Sequence, residues 1–156
     1  VRLAEFNALP EADAEAALLS CCGSRAFARL VAARRPYASP EELLAAIESA
    51  FASLTWPDVL EAMGGHPRIG DRATGASAAE QSGVTDDSRA LLVAGNVEYE
   101  ERFGHVFLIC ATGLSGQDML AALRERLRND PQAERSFATR ELLSITALRA
   151  RKLAGG

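Results

Sequence analysis

The sequence predicts an all-α protein, a compact single-domain bundle of about eight or nine helices over residues 1–156. Alanine and leucine dominate while β-branched residues are sparse, a composition that favours helix over sheet. Helix-start signals recur along the chain, and behind each of them apolar residues return at three- and four-residue spacing. At 156 residues and 16.6 kDa the chain is long enough to bury a core of its own.

Pro10 starts an acidic, alanine-rich helix that runs to Cys21-Cys22-Gly23. Ser24 opens the next, through Phe27, Leu30 and Val31 to Arg34-Arg35-Pro36. "SPEE" at 39–42 is a capping box with proline at the first helical position, and Leu43, Leu44, Ile47, Phe51 and Leu54 follow at helical spacing. Thr55 caps a short helix through Val59, Leu60 and Met63, which Gly64-Gly65 ends. After a break at 65–71, "SAAEQ" at 77–81 reads as one or two helical turns closed by Gly83. Thr85 and two aspartates begin a longer helix, through Leu91, Leu92 and Tyr99 to Phe103-Gly104. "HVFLICA", 105–111, is a short apolar run that fits an extended segment, a buried turn or a helix stub equally well. Ser115 and Asp118 form another start, with Leu120, Leu123 and Leu127 as the stripe. Asp130-Pro131 opens the last helix, which carries Phe137, Leu142, Ile145 and Leu148.

The net charge of -4 argues against a phosphate-backbone binder, so no nucleic-acid partner is expected. Cys21, Cys22 and Cys110 have no CxxC spacing, which points to buried thiols rather than disulfides or zinc. No apolar run approaches the roughly 20 residues of a membrane span. The first fifteen residues lack the apolar stretch and cleavage site of a signal peptide, so a cytoplasmic protein with no membrane partner is expected. With two histidines and no acidic cluster at ligand spacing, no metal site is expected.

The break "GHPRIGD" carries the residues best suited to chemistry. Pro67 disfavours the α conformation at His66, so the imidazole leaves a helix end on a stiff, non-helical backbone. That fixes a proton-transfer group in a pocket, and it equally describes a capping histidine in a connector. Arg68 and Asp71 read as a pair with each other or as holders of the loop. Ser77 and Glu80 meet the capping-box spacing, yet a helix N-terminus is also where a bound anion is favoured. Gln81 adds an amide that both donates and accepts. His105 reads as a packing residue, and Arg124, Arg126 and Arg128 as a solvated helix face. Arg149 stands at the border of the last apolar stripe, where its head reaches either water or a ligand.

"GHPRIGD", then "SAAEQSG", then "NVEYEERFGHVFLICATG", together resemble the 2-oxo-4-hydroxy-4-carboxy-5-ureidoimidazoline (OHCU) decarboxylases of purine catabolism. "FNALP", "CCGSRAFARLVAARRPYAS" and "SITALRARKL" look like the family's remaining blocks in the right order. The resemblance implies an all-helical, cofactor-free enzyme, usually a homodimer, that converts OHCU to (S)-allantoin. By match of motif, His66 and Glu80 take the catalytic positions. Pro67, Ser77, Gln81 and Arg149 take substrate-binding positions, and the backbone of Phe107, Leu108 and Ile109 the stretch that bonds the substrate ring. Animal and plant relatives commonly carry a peroxisomal address. This chain ends without one, which implies a bacterial-type cytoplasmic enzyme. The competing class is an all-α interaction module that uses the 65–71 loop as a partner surface; it predicts no role for His66 in any turnover.

Overall fold

A computed structural model describes residues 2–66, 68–69, 80 and 82–155, the side chains of Asp86 and Asp87 excepted. Among these residues the chain forms eight longer α-helices and no strand, as the composition predicts. They are α1 (Leu3–Ala8), α2 (Glu11–Cys21), α3 (Arg25–Ala33), α4 (Pro40–Ser53), α5 (Trp56–Met63), α6 (Asp86–Phe103), α7 (Gly116–Arg126) and α8 (Pro131–Leu153). The backbone divides into two units: Val1–Ala62 with Leu142–Gly156, and Met63–Glu141.

In the first unit α2 packs on α3 and α3 on α4. Leu18, Phe27, Val31, Leu43, Ile47 and Phe51 are buried, with Phe27 and Phe51 edge to face at 5.7 Å. Ser24 caps α3 by accepting from the Phe27 N–H at 3.2 Å. Ser39 caps α4 in the same way, accepting from the Glu42 N–H at 3.2 Å. The reciprocal arm differs from the expected box: the Glu42 carboxylate accepts from the Ala38 N–H, one residue before the cap. Thr55 and Asp58 exchange bonds at the start of α5. Leu30 has the spacing of a core residue but is 42% exposed.

Helix α1 has no counterpart in the sequence reading, which begins with Pro10. It is only six residues long, and what finishes it lies far along the chain. Arg35 Nη1 donates to the carbonyls of Phe6 and Leu9, each at 2.8 Å, so a remote guanidinium satisfies the Leu9 carbonyl and joins the Leu9 N–H on that of Phe6. Asn7 locks the same end by exchanging two hydrogen bonds with the Tyr37 backbone, at 2.8 and 2.9 Å.

The second unit is built on α6 and α7, which pack together. A Cβ on Gly116, in the first turn of α7, would stand 2.0 Å from Ser88 Oγ on α6, so glycine permits the approach. Ser115 and Asp118 form the expected reciprocal box at 3.0 Å in each direction. Gly104, with φ of 77°, closes α6 in the left-handed region. Segment 105–111 is irregular rather than helical, with Phe107, Leu108, Ile109 and Ala111 buried. These side chains, except Leu108, join Ile69, Leu92, Tyr99, Met119, Leu120 and Leu123 in one cluster. Leu91 and Phe137, expected on apolar stripes, are 51% and 39% exposed.

Candidate active site

His66 follows directly from the end of α5. Its backbone N–H donates to the Met63 carbonyl at 3.1 Å, carrying one further turn past the helix, and the residue is half-buried. Glu80 is helical and half-buried. Pro67, Ser77 and Gln81, and with them Asp71, lie outside the described residues.

The segment after His66 is fastened to α6 at two points. Arg68 Nε stands 3.0 Å from each carboxylate oxygen of Glu100. One residue on, the carbonyl of buried Ile69 accepts from Asn96 Nδ2 at 2.5 Å. Asn96 and Glu100 are four apart, hence on one face of α6. Asn96 is 2% exposed, and its Oδ1 has no partner among the described residues.

The segment Phe107–Ile109 is held by a residue of α7. Arg126 was expected on a solvated helix face; it is instead 6% exposed, in the core. Its Nη1 donates to the Leu108 carbonyl at 2.5 Å and its Nε to Glu134 Oε1 at 2.7 Å, while its guanidinium lies 4.6 Å from the Phe107 ring centre. The same Glu134 oxygen accepts from the Tyr99 hydroxyl, and Oε2 accepts from Asn129 Nδ2 at 3.1 Å. Glu134 is fully buried and Tyr99 likewise. A buried carboxylate is tolerated because a cation, a phenol and an amide all donate to it. Burial, with the bond to Glu134 second, drives the Tyr99 hydroxyl far above its ordinary pKa, so it remains a donor at any working pH. Among the described residues no hydrogen bond engages the backbone of Phe107 or Ile109. Arg124 and Arg128 are exposed, as expected of the rest of that face.

Arg149 is half-buried on α8, in the first unit, where its charge favours the thiolates of Cys21 and Cys22. Burial outweighs that effect and pushes the Cys21 thiol up to about 11. His105 is a packing residue, as its place before an apolar run implies: its ring meets Tyr99 at 5.5 Å and Phe103 at 6.1 Å.

A helical chain with a half-buried histidine just past a helix end, and with a segment of buried irregular backbone elsewhere in the same unit, has the makings of an all-α enzyme. The OHCU decarboxylase family profile matches residues 7–151. The chain is 36% identical over 126 residues to the 2-oxo-4-hydroxy-4-carboxy-5-ureidoimidazoline decarboxylase of Amia calva, covering 74% of this chain and 72% of that one. It is 37% identical over 145 residues to the uric acid degradation bifunctional protein TTL of Arabidopsis thaliana, covering 85% of this chain. It spans less than half, 45%, of that plant relative's length. A crystal structure of OHCU decarboxylase in the presence of (S)-allantoin superposes with a TM-score of 0.80 at 31% identity, over 88% of this chain and 96% of that one. The chain belongs to the OHCU decarboxylase family.

Sequence reasoning missed the holders of this region. Asn96 and Tyr99 belong to the quoted N-x-x-Y motif, but spacing says nothing about what a polar side chain on α6 grips. For Arg126 and Glu134 a signal existed. Arg126 lies at core spacing from Met119 and Leu123, and Glu134 from Ala138 and Leu142, so two opposite charges interrupt two buried stripes.

Proposed function

We propose that this chain decarboxylates OHCU to (S)-allantoin, as a single-domain, homodimeric, cytoplasmic enzyme of urate breakdown. The observation that carries the reading is the match to nearly the full length of an OHCU decarboxylase structure; His66, matched to the family's catalytic histidine by motif alone, stands just past the end of α5. Among the described residues no single helix is long and apolar enough to cross a membrane.

The substrate supplies its own electron sink. Its carboxylate sits on a ring carbon next to a C=N bond, so as CO2 leaves, the C–C bonding pair becomes a C=C bond and the imine nitrogen takes a proton. The product of that step is an enol. Its hydroxyl proton departs, the oxygen becomes a carbonyl, and the neighbouring ureido-bearing carbon takes a proton on one face. In this reading His66, with Glu80, holds or removes the hydroxyl proton, and one of the pair delivers the new one. Pro67 limits where His66 points. Ser77 and Gln81 bond the substrate's polar edge, and Arg149 anchors its carboxylate or ureido end, to which a guanidinium fork is suited. The backbone of Phe107, Leu108 and Ile109 bonds the ring. The carbonyl of Leu108 already accepts from Arg126, so the groups of Phe107 and Ile109 are the better placed.

The test is to generate OHCU from urate with urate oxidase and hydroxyisourate hydrolase, add the protein and follow optical activity. Rapid appearance of (S)-allantoin, lost in His66→Gln, is expected. Racemic allantoin at the spontaneous rate would sink the assignment.

A further inference from the structure

The N-x-x-Y-x-x-x-F-G motif of α6 has a part to play that the reaction scheme leaves unassigned. We infer that Asn96, assisted by Glu100, is a positioning residue for His66: it fixes the backbone that aims the imidazole, and touches neither substrate nor reacting atoms. The inference rests on the reading of His66 as the proton-transfer group.

The loop bearing His66 begins at a defined point, because its N–H closes a turn on Met63 at the end of α5. Its other end needs an anchor as well, or rotation about the intervening backbone would swing the ring. Ile69 supplies that anchor three residues later. Its side chain is 4% exposed in the apolar cluster, which sets the position of the backbone but not its rotation. The Asn96 amide fixes the rotation by holding the Ile69 carbonyl at 2.5 Å. Glu100, one turn along the same face, holds Arg68 from the side, with side chains 25% and 52% exposed, and so contributes less.

The chemistry of the site selects an amide. A carbonyl buried with Ile69 needs a donor, and leucine of similar size has none. Aspartate of the same shape would present a carboxylate oxygen to a carbonyl oxygen. The Asn96 side chain is buried, so bulk water does not replace the bond. The phenyl and phenol rings of Phe103 and Tyr99, further along the motif, meet His105. The motif therefore gives its first residue to the loop and its later residues to the core.

The experiment compares Asn96→Leu, Asn96→Asp, Glu100→Gln and His66→Gln in the intact chain with freshly generated OHCU. Asn96→Leu should lower kcat at least tenfold with KM within about twofold, since substrate groups are untouched. Glu100→Gln should lower it no more than about threefold. The chain has two histidines, so labelled imidazoles give two sets of ring resonances. Asn96→Leu should shift or split the set that His66→Gln removes and leave that of His105 in place. Should Asn96→Leu fail to fold, the isosteric Asn96→Asp carries the same expectations. An inactive His66→Gln beside an Asn96 variant of unchanged kcat and unmoved His66 resonances would overturn the inference alone. A fully active His66→Gln would overturn the underlying reading of the site, and the inference with it.

Discussion

The two units of the chain bury polar groups in different ways. In the first, the fully buried polar side chains are satisfied locally: Ser24 caps its own helix at Phe27, and Thr146 donates to Leu142 one turn back at 2.7 Å. In the second, Ser88 also bonds locally, with Thr85, but the others reach across the chain. Asn96 holds Ile69 at 27 residues' separation, Tyr99 holds Glu134 at 35, and Arg126 holds Leu108 at 18. Local bonds such as these finish a helix, whereas distant bonds fix one segment against another, as the Arg35 bonds to the end of α1 also do. Apolar contacts are non-directional and leave backbone rotation loosely set; a hydrogen bond to a carbonyl sets it. The second unit carries both His66 and the Phe107–Ile109 stretch; such bonds hold Ile69, three residues after His66, and Leu108.

The sharpest way to break this contrast is to remove the ion pair. Arg126→Leu leaves Glu134 buried without its cation, and Glu134→Leu does the converse; each should cost about 3–5 kcal/mol, read by urea unfolding. The double variant, which removes both charges, should regain most of that loss. Single variants within 1 kcal/mol of the parent, by the same order of estimate, would mean that the network contributes little. The corresponding cut in the first unit is Leu43→Ala, where a fully buried side chain is lost from an apolar setting. About 3 kcal/mol is expected there, and no second substitution should restore it by charge removal.

How much of this was legible follows the same division. Caps and starts at Ser24, Ser39, Thr55, Ser115 and Asp130 are local patterns, and the structure keeps each of them near its expected place. The exposed Leu30, Leu91 and Phe137 show the limit of spacing, which tells that a face is apolar but not how wide a strip of it is covered. Helix α1 escaped notice because Arg35 completes it from 26 to 29 residues away. The core position of Arg126 escaped because charge type was allowed to outweigh its place on a stripe. For the site, the motifs gave His66 and Glu80 their positions by resemblance. What Asn96 and Glu100 grip could be recognised only from distances, whereas the burial of Arg126 had its signal in the spacing.

A smaller effect probes burial in the first unit. Burial raises the Cys21 thiol to about 11 from an ordinary value of 9.0. The unfolded chain then loses this proton first as pH rises, so it binds fewer protons than the folded chain. Stability contributed by the neutral thiol is complete below about pH 9 and declines toward pH 11, by a loss on the order of 2 kcal/mol. Cys21→Ala should flatten that decline in urea titrations between those pH values. Iodoacetamide at pH 8 should label Cys21 only on unfolding, because both the thiolate and access to it are scarce in the folded state.

The finest test sets two caps against each other. Ser24 and Ser115 make the same bond, accepting from the N–H three residues on at 3.2 and 3.0 Å. They differ in setting: Ser24 is fully buried, Ser115 exposed. Where the cap is exposed, water takes over the freed N–H when serine becomes alanine. Where it is buried, the Phe27 N–H is orphaned, and the loss includes its desolvation. Ser24→Ala should therefore cost about 1–2 kcal/mol and Ser115→Ala about half of that or less, both by urea unfolding. Equal losses would show that water reaches the start of α3, and with it that the first unit is less tightly sealed at that helix end than the burial of Ser24 implies.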